Sequence, residues 1–253
     1  MTSRENVPGG GGDPGVQAVV AQALELIEDG ARVGLGTGRA AAAFITALGA
    51  RVQQGLVVAA VPTSRDSARL AREVGIPLID LDEDVMLDLI VDGADEVAPN
   101  LDLVKGWGGA LVQERIVASA SRRQIILVGR EKLVAALGER GRIPIEVIPL
   151  ARGPVTRQLK ALGLVAAARH DADGARLLLT ENGNLTLDCA VTEPLGDGRA
   201  ARALEAALRA IVGVVDTGLF LGTAERVLVG YPDGRVETFT RSGPRDVTSW
   251  SVE

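Results

Sequence analysis

Apolar positions in the first half of the chain recur in two alternating rhythms. Val19, Val20, Ala23, Leu24 and Ile27 fall at helical spacing within residues 16–28, and Asp29-Gly30 supplies a stop. Short continuous apolar runs mark strands at 32–35, 56–61, 86–91 and 124–128, and Leu78-Ile79 begins a further one. Between them lie an alanine-rich helical stretch at 39–48, a helix capped by Thr63-Ser64 that runs to Val74, and a helix at 110–119. Strands alternating with helices on short connections predict a parallel sheet covered on both faces.

The rhythm changes near residue 140. A strand at 143–148 and a helix at 154–162 precede short alternating strands at 165–168, 176–180 and 185–188, then a helix at 199–211. Asn182-Gly183 is a hairpin turn signal. This block predicts a small βαββα unit, a separate α+β domain. Strands at 214–215, 219–220 and 227–229 are expected to return to the first domain. The expected division is therefore a large domain over 16–138 and 212–240, a small domain over 139–211, and a peripheral polar tail over 241–253. Residues 1–15, with four consecutive glycines and two prolines, read as a disordered leader without a signal-peptide apolar core.

Composition narrows the function classes. Hydrophobic residues make up 47% of the 253, ample for a buried core, but aromatics are only 2%, so the core must be aliphatic. Scarce aromatics argue against single-stranded nucleic-acid binding, and a net charge of −6 disfavours any phosphate-backbone partner. An anionic small molecule would need a local cationic pocket. Cys189 is the only cysteine, which excludes an intrachain disulfide and fits a reducing cytoplasm; with the single histidine, His170, it leaves poor material for a metal site. No apolar run approaches the roughly 20 residues of a membrane span.

The candidate chemistry concentrates at residues 89–115. An apolar run ends in Asp92-Gly93-Ala94-Asp95-Glu96, followed by Lys105, the small-residue loop 106–110, and Glu114 on the next helix. In open α/β sheets ligands bind at the carboxyl ends of strands. Carboxylates, one lysine and free backbone N–H groups there are the parts needed to move protons on a small polar substrate. Acids in a turn are often only solvated or capping groups, and carboxylates alone also suit Mg²⁺; the nearby Lys105 favours direct proton chemistry. A second loop, Gly36-Thr37-Gly38-Arg39, joins a strand to a helix and suits phosphate at the helix N-terminus. Gly36, Gly38 and Ala41 match a dinucleotide pattern, but the acid expected about 20 residues on is missing, which disfavours NAD. Lys132, after the fifth strand, is a candidate anion contact, whereas His170, beside Asp171 and Asp173 in a polar turn, reads as surface.

Together these segments resemble the type A ribose-5-phosphate isomerase family over roughly 16–235. The resemblance is carried by VGLGTG at 33–38, VPTS at 61–64, DGADEVAPNLDLVKG at 92–106, GGAL with Glu114 at 108–114, PIEVIP at 144–149, TENGN at 180–184 and GVVDTGLF at 213–220. It implies an α/β fold: a Rossmann-like parallel-sheet large domain with a smaller α+β (ferredoxin-like) domain. It further implies a homodimer or homotetramer and cofactor-free, metal-free interconversion of ribose 5-phosphate and ribulose 5-phosphate in the non-oxidative pentose phosphate pathway. By the same resemblance, Glu114 is the general base, Asp92 assists ring opening and positions hydroxyls, and Lys105 stands beside the oxygen that becomes anionic. Substrate contacts are implied at Thr37, Gly38, Arg39, Ala40, Asp92, Gly93, Ala94, Asp95, Lys105, Gly106, Trp107, Gly108 and Lys132.

Four departures fall around the substrate. Arg39-Ala40 replaces the family's Ser-Thr, removing two hydroxyl donors, although a guanidinium can bind phosphate in their place. Gly15-Val16-Gln17 stands where relatives often carry lysines. Trp107 replaces a small residue, either narrowing or covering the site, and Glu131 replaces the serine before Lys132. The alternatives are a paralogue for another sugar phosphate, an amino-sugar phosphate deaminase or acyl-CoA transferase on a similar scaffold, and a non-enzymatic sugar-phosphate sensor.

Overall fold

The computed structural model describes residues 13–196 and 198–241. The disordered leader expected over 1–15 is corrected at its end, because Asp13 caps and Pro14-Gly15 begin the first helix; residues 1–12 lie outside the described residues. Of the peripheral tail expected over 241–253, Arg241 donates its N–H to Glu225 O, and residues 242–253 lie outside the described residues.

The chain begins with α1 (Pro14–Leu24), β1 (Ala31–Leu35), α2 (Arg39–Gln53), β2 (Val58–Pro62), α3 (Arg65–Glu73) and β3 (Leu89–Asp92). Two-residue strands β4 (Glu96–Val97) and β5 (Leu103–Val104) precede α4 (Leu111–Ser119) and β6 (Gln124–Gly129). Next come β7 (Arg142–Val147), α5 (Arg152–Ala161), β8 (Val165–Ala168), β9 (Leu185–Ala190), α6 (Gly198–Arg209) and β10 (Val214–Thr217). The described chain closes with β11 (Leu219–Phe220), β12 (Arg226–Gly230) and β13 (Val236–Thr240).

Six strands form the large sheet in the order β13-β12-β6-β3-β1-β2, parallel except for the β12–β13 hairpin. From β1 the chain steps outward to β2, then crosses back to place β3 on the other side of β1. This reversal of direction opens a crevice at the carboxyl ends of β1 and β3. Alternate residues of the strands point to opposite faces. Val33, Leu35, Val91, Ile125 and Leu127 pack under α1 and α2, which contribute Val19, Val20 and Ala23, and Phe44, Ile45 and Leu48. On the opposite face Ile90 packs with Val117 of α4, while Ile126, Val128, Val227 and Val229 pack against the three-stranded sheet β11-β5-β4. Both faces are thus covered, one of them partly by strands. Among the described residues no helix is long and apolar enough to cross a membrane.

The small sheet has the order β10-β7-β9-β8, every neighbour antiparallel, with α5 and α6 connecting β7 to β8 and β9 to β10. That order and connectivity are ferredoxin-like. Its core joins Ile145, Val147, Leu185, Leu187 and Cys189 to Val155 and Leu159 of α5 and Leu208 of α6.

Several sequence expectations are corrected. The strand expected to return to the large domain at 214–215 is β10, which pairs with β7 and closes the small sheet. Without it the edge of β7 would be unpaired. Leu78-Ile79 forms one bridge to Ala60 instead of a strand, because Pro77 immediately before it has no N–H to extend the ladder. Residues 176–180 likewise make only isolated bridges, His170–Leu177 and Leu179–Leu185. The first helix begins at Pro14, two residues early, because the Asp13 carboxylate caps the Gly15 N–H at 2.9 Å, and it ends at Leu24 although Ile27 remains buried. The strand β13 and the short strands β4 and β5 carry too little periodic signal to be expected.

One residue joins the small sheet to the end of β5 beside the crevice. Gly218, between β10 and β11, donates its N–H to Pro144 O (2.7 Å) and accepts the Lys105 N–H (2.9 Å).

Phe44 is among the largest fully buried side chains of the described residues and ties α2 to the large sheet. Phe44→Ala is expected to lower unfolding free energy by about 3–5 kcal/mol, read as a reduced urea midpoint with an unchanged slope.

Candidate active site

The crevice is assembled from strand ends. After β1 the chain turns through Gly36 and Thr37, and α2 starts with its N-cap at Gly38 and no side-chain cap, so its first N–H groups are available to a ligand. Gly36 is required by close approach: a Cβ there would overlap the Asp92 carboxylate at the end of β3. Thr37 donates its N–H to Asp92 Oδ1 at 3.1 Å. Its hydroxyl points back into a cluster with Thr63 (2.8 Å) and Ser64 (2.9 Å), where Ser64 also caps α3. Thr37 therefore shapes the loop through its side chain.

Three buried charged groups meet next to this loop. Lys105 Nζ lies 2.9 Å from Asp92 Oδ2 and 3.4 Å from Glu114 Oε1, and donates to Gly93 O at 2.6 Å. Asp92 Oδ1 accepts the Gly93 N–H at 2.7 Å as well as that of Thr37. Glu114 lies in the first turn of α4, and its Oε2 has no hydrogen-bond partner among the described residues. Burial pushes the Glu114 carboxyl up to about 8; the Lys105 ammonium pulls the other way, while the Asp92 and Asp95 charges add to the rise. Burial alone would lower Lys105, but the carboxylates of Asp92 and Glu114 outweigh it and hold the ammonium above its ordinary value. Lys105 thus stays charged while Glu114 is poised to exchange a proton near neutrality.

Around this cluster opens a cleft of about 350 Å³. It is lined by Thr37, Gly38, Arg39 and Ala40 from the first loop, Gly93, Ala94 and Asp95 from the second, and Lys105, Gly106, Gly108, Glu114 and Lys132. Val16, Glu131 and residues 127–129 complete the wall. Asp95 is raised by burial, opposed by the Trp107 N–H bonded to its Oδ2 at 2.9 Å and by Lys105 and Lys132. Lys132 is lowered by burial and by the nearby cations Arg140 and Arg39, with Asp95 and Glu131 opposing.

Two residues with implied substrate contacts stand elsewhere. Asp92 is fully buried behind Lys105, so its carboxylate fixes the lysine and the two loops. Trp107 is not part of the cleft wall; its side chain packs against the cluster that holds Val104, Ile143 and Leu219 and faces the guanidinium groups of Arg142 (4.3 Å) and Arg140 (5.2 Å), with Lys132 Nζ 6.0 Å from its centroid. Glu96, third acid of the strand end, is also buried and accepts the N–H groups of Gly138 (2.6 Å) and Arg140 (2.7 Å), a structural role. His170 is exposed on the small domain. Arg140 and Arg142 gave no sequence signal, since they reach the site region from the start of the small-domain segment. Among the described residues no group of three or more His, Cys, Asp or Glu side chains is placed to hold a metal ion.

The family model of ribose 5-phosphate isomerase A (phosphoriboisomerase A) matches residues 59–234. Ribose-5-phosphate isomerase A of Roseiflexus sp. (strain RS-1) is 44% identical over 226 residues, spanning 87% of this chain and 94% of that protein. The enzyme of the same name from Deinococcus radiodurans is 43% identical, over 87% and 95% of the two chains. Among solved structures, ribose 5-phosphate isomerase A from Methanocaldococcus jannaschii superposes with a TM-score of 0.82 at 39% identity, covering 90% of this chain and 98% of that one. Ribose 5-phosphate isomerase from Plasmodium falciparum gives 0.84 at 31% identity, with 90% and 98% covered. With matching fold and sequence over most of its length, this chain belongs to the ribose 5-phosphate isomerase A family.

Proposed function

We propose that this protein interconverts D-ribose 5-phosphate and D-ribulose 5-phosphate by proton transfer through an enediolate, with no metal ion taking part. The observation that carries the reading is the buried Lys105–Glu114 pair at 3.4 Å, one carboxylate oxygen of which is left without a partner beside the cleft.

Removing a proton next to a carbonyl needs a base in reach and a stabiliser for the developing oxyanion. In the open-chain aldose, the Glu114 carboxylate takes the proton from C2, a C1–C2 double bond forms, and the electrons of the carbonyl bond pass to O1. The Lys105 ammonium, held charged by Asp92, answers that negative charge. The proton on O2 then moves to O1, the C2 carbonyl forms, and protonated Glu114 returns its proton to C1. The same carboxyl serves both directions, so no net proton is consumed. At the other end of the cleft, the open N-terminus of α2, with Arg39 and Lys132, supplies the local positive field that a phosphate needs in a chain of net charge −6. Arg39 stands where the family's hydroxyl donors are missing. A sensor would have no use for a buried base and ammonium in contact, which favours the enzyme. The reading extends to a cytoplasmic homodimer or homotetramer of the non-oxidative pentose phosphate pathway.

Purified, EDTA-treated protein should form ribulose 5-phosphate from ribose 5-phosphate. Glu114→Gln should lower kcat by about a hundred- to ten-thousand-fold while calorimetry still registers sugar-phosphate binding; full activity in that variant would remove Glu114 as the base.

The active form of the base is the carboxylate. With the Glu114 carboxyl raised to about 8, it is mostly protonated at lower pH. kcat/KM, which reports the free enzyme, should rise close to tenfold per pH unit below about 8 and level off above it. A profile already flat from pH 5 to 7 would contradict this assignment.

A further inference from the structure

Among the largely buried cations that the proton-transfer set leaves unused, one reaches the loop beside Lys105. Arg169, just after β8 in the small sheet, is largely buried and reaches across to the loop that follows Lys105. Its Nη1 donates to Gly106 O (3.1 Å) and to Trp107 O (2.9 Å). Its other nitrogens are held by Asp188 of β9, Nε to Oδ2 at 2.8 Å and Nη2 to Oδ1 at 2.6 Å, a two-point pair that leaves the guanidinium no rotational freedom. Asp188 also meets Arg142 at 3.4 Å, the guanidinium stacked over the Trp107 ring. One small-domain carboxylate thereby organises two arginines that grip Trp107, one by its backbone and one by its ring.

The gripped segment is a tight turn, closed by the Gly109 N–H on Gly106 O at 3.0 Å. The central peptide of such a turn, here Trp107–Gly108, is the unit whose rotation separates one turn type from another, and glycine in the third position tolerates either setting. Because a trans peptide is planar with its C=O and N–H opposed, a carbonyl fixed on Arg169 sends the N–H of the same peptide the other way. For the Gly106–Trp107 peptide the consequence is visible: the Trp107 N–H donates to Asp95, which lines the cleft. For the Trp107–Gly108 peptide, the carbonyl is fixed on Arg169 and Gly108 itself lines the cleft.

We propose that Arg169 is a positioning residue for the isomerisation: from the small sheet it locks the Trp107–Gly108 peptide so that the Gly108 N–H faces the substrate oxygens beside Lys105. The proposal rests on the isomerase reading, and it assigns a backbone donor, pre-oriented by the second domain, to the oxygen on which charge develops. Donors fixed before the reaction act on the transition state more than on the bound substrate, so kcat carries the effect.

The test compares wild-type protein with Arg169→Ala, Arg169→Lys and Asp188→Asn, using amide hydrogen exchange by NMR and steady-state kinetics on ribose 5-phosphate. The expected result for Arg169→Ala is at least about tenfold faster exchange at Trp107 and Gly109, with kcat reduced about ten- to a hundredfold and KM changed less than about threefold. Arg169→Lys should recover part of kcat, since an ammonium can still donate to Trp107 O. A kcat within about twofold of wild type overturns the role, whatever happens to the melting temperature. So does a loss confined to KM, or a kcat loss with unchanged exchange. Should Arg169→Ala fail to fold, Asp188→Asn, which keeps the guanidinium but frees it, is judged by the same criteria. Absent turnover in the wild-type protein would overturn the isomerase reading and this role with it; wild-type turnover with an indifferent Arg169→Ala overturns the role alone.

Discussion

Burying Lys105 is the constraint around which the rest of the site is arranged. An ammonium withdrawn from water is costly unless each of its protons finds an acceptor and its charge a counter-charge. Here the acceptors come from three separate places: the end of β3 gives Asp92, the following loop gives Gly93 O, and α4 gives Glu114. Asp92 turns Oδ2 to the lysine and needs Oδ1 satisfied as well, which draws in the N–H groups of Thr37 and Gly93 and requires a residue without a side chain at position 36. One desolvated lysine thus fixes the relative placement of both strand-end loops and the helix that carries Glu114.

The same burial that makes the cluster costly makes it chemically useful. A carboxyl at the surface would lose its proton near pH 4.5 and be a weak base at neutrality. Inside this cleft the missing water raises Glu114, and the lysine limits that rise. Asp92 is the silent partner: it supplies the negative charge that keeps Lys105 protonated, while being inaccessible itself.

Much of this was legible in the sequence because strand ends are legible. A buried apolar run that stops in acids, and a glycine turn between strand and helix, both announce the crevice edge. Direction of side chains was not. Nothing in the order of residues tells that Asp92 points inward behind Lys105 while Asp95 points into the cleft, or that the Trp107 ring faces Arg140 and Arg142. Pairings across long separations were equally hidden. The strand β10 sits in sequence between small-domain and large-domain segments, and only its ladder with β7 decides where it belongs. Arg169 lies 62 residues from the Trp107 carbonyl it holds. No local pattern records such a contact, and the mixed surroundings of a short alanine-rich strand gave no hint of it.

Gly218 has a mechanical consequence. It is hydrogen-bonded on one side to Pro144 in the small sheet and on the other to the backbone of Lys105 itself. A small domain that swung open like a cover would have to pull on that backbone and so disturb the charge cluster. The molecule is stitched shut at its most sensitive point. The cleft meets solvent instead along the exposed rim at Gly38, Arg39 and Gly108, a mouth that needs no door.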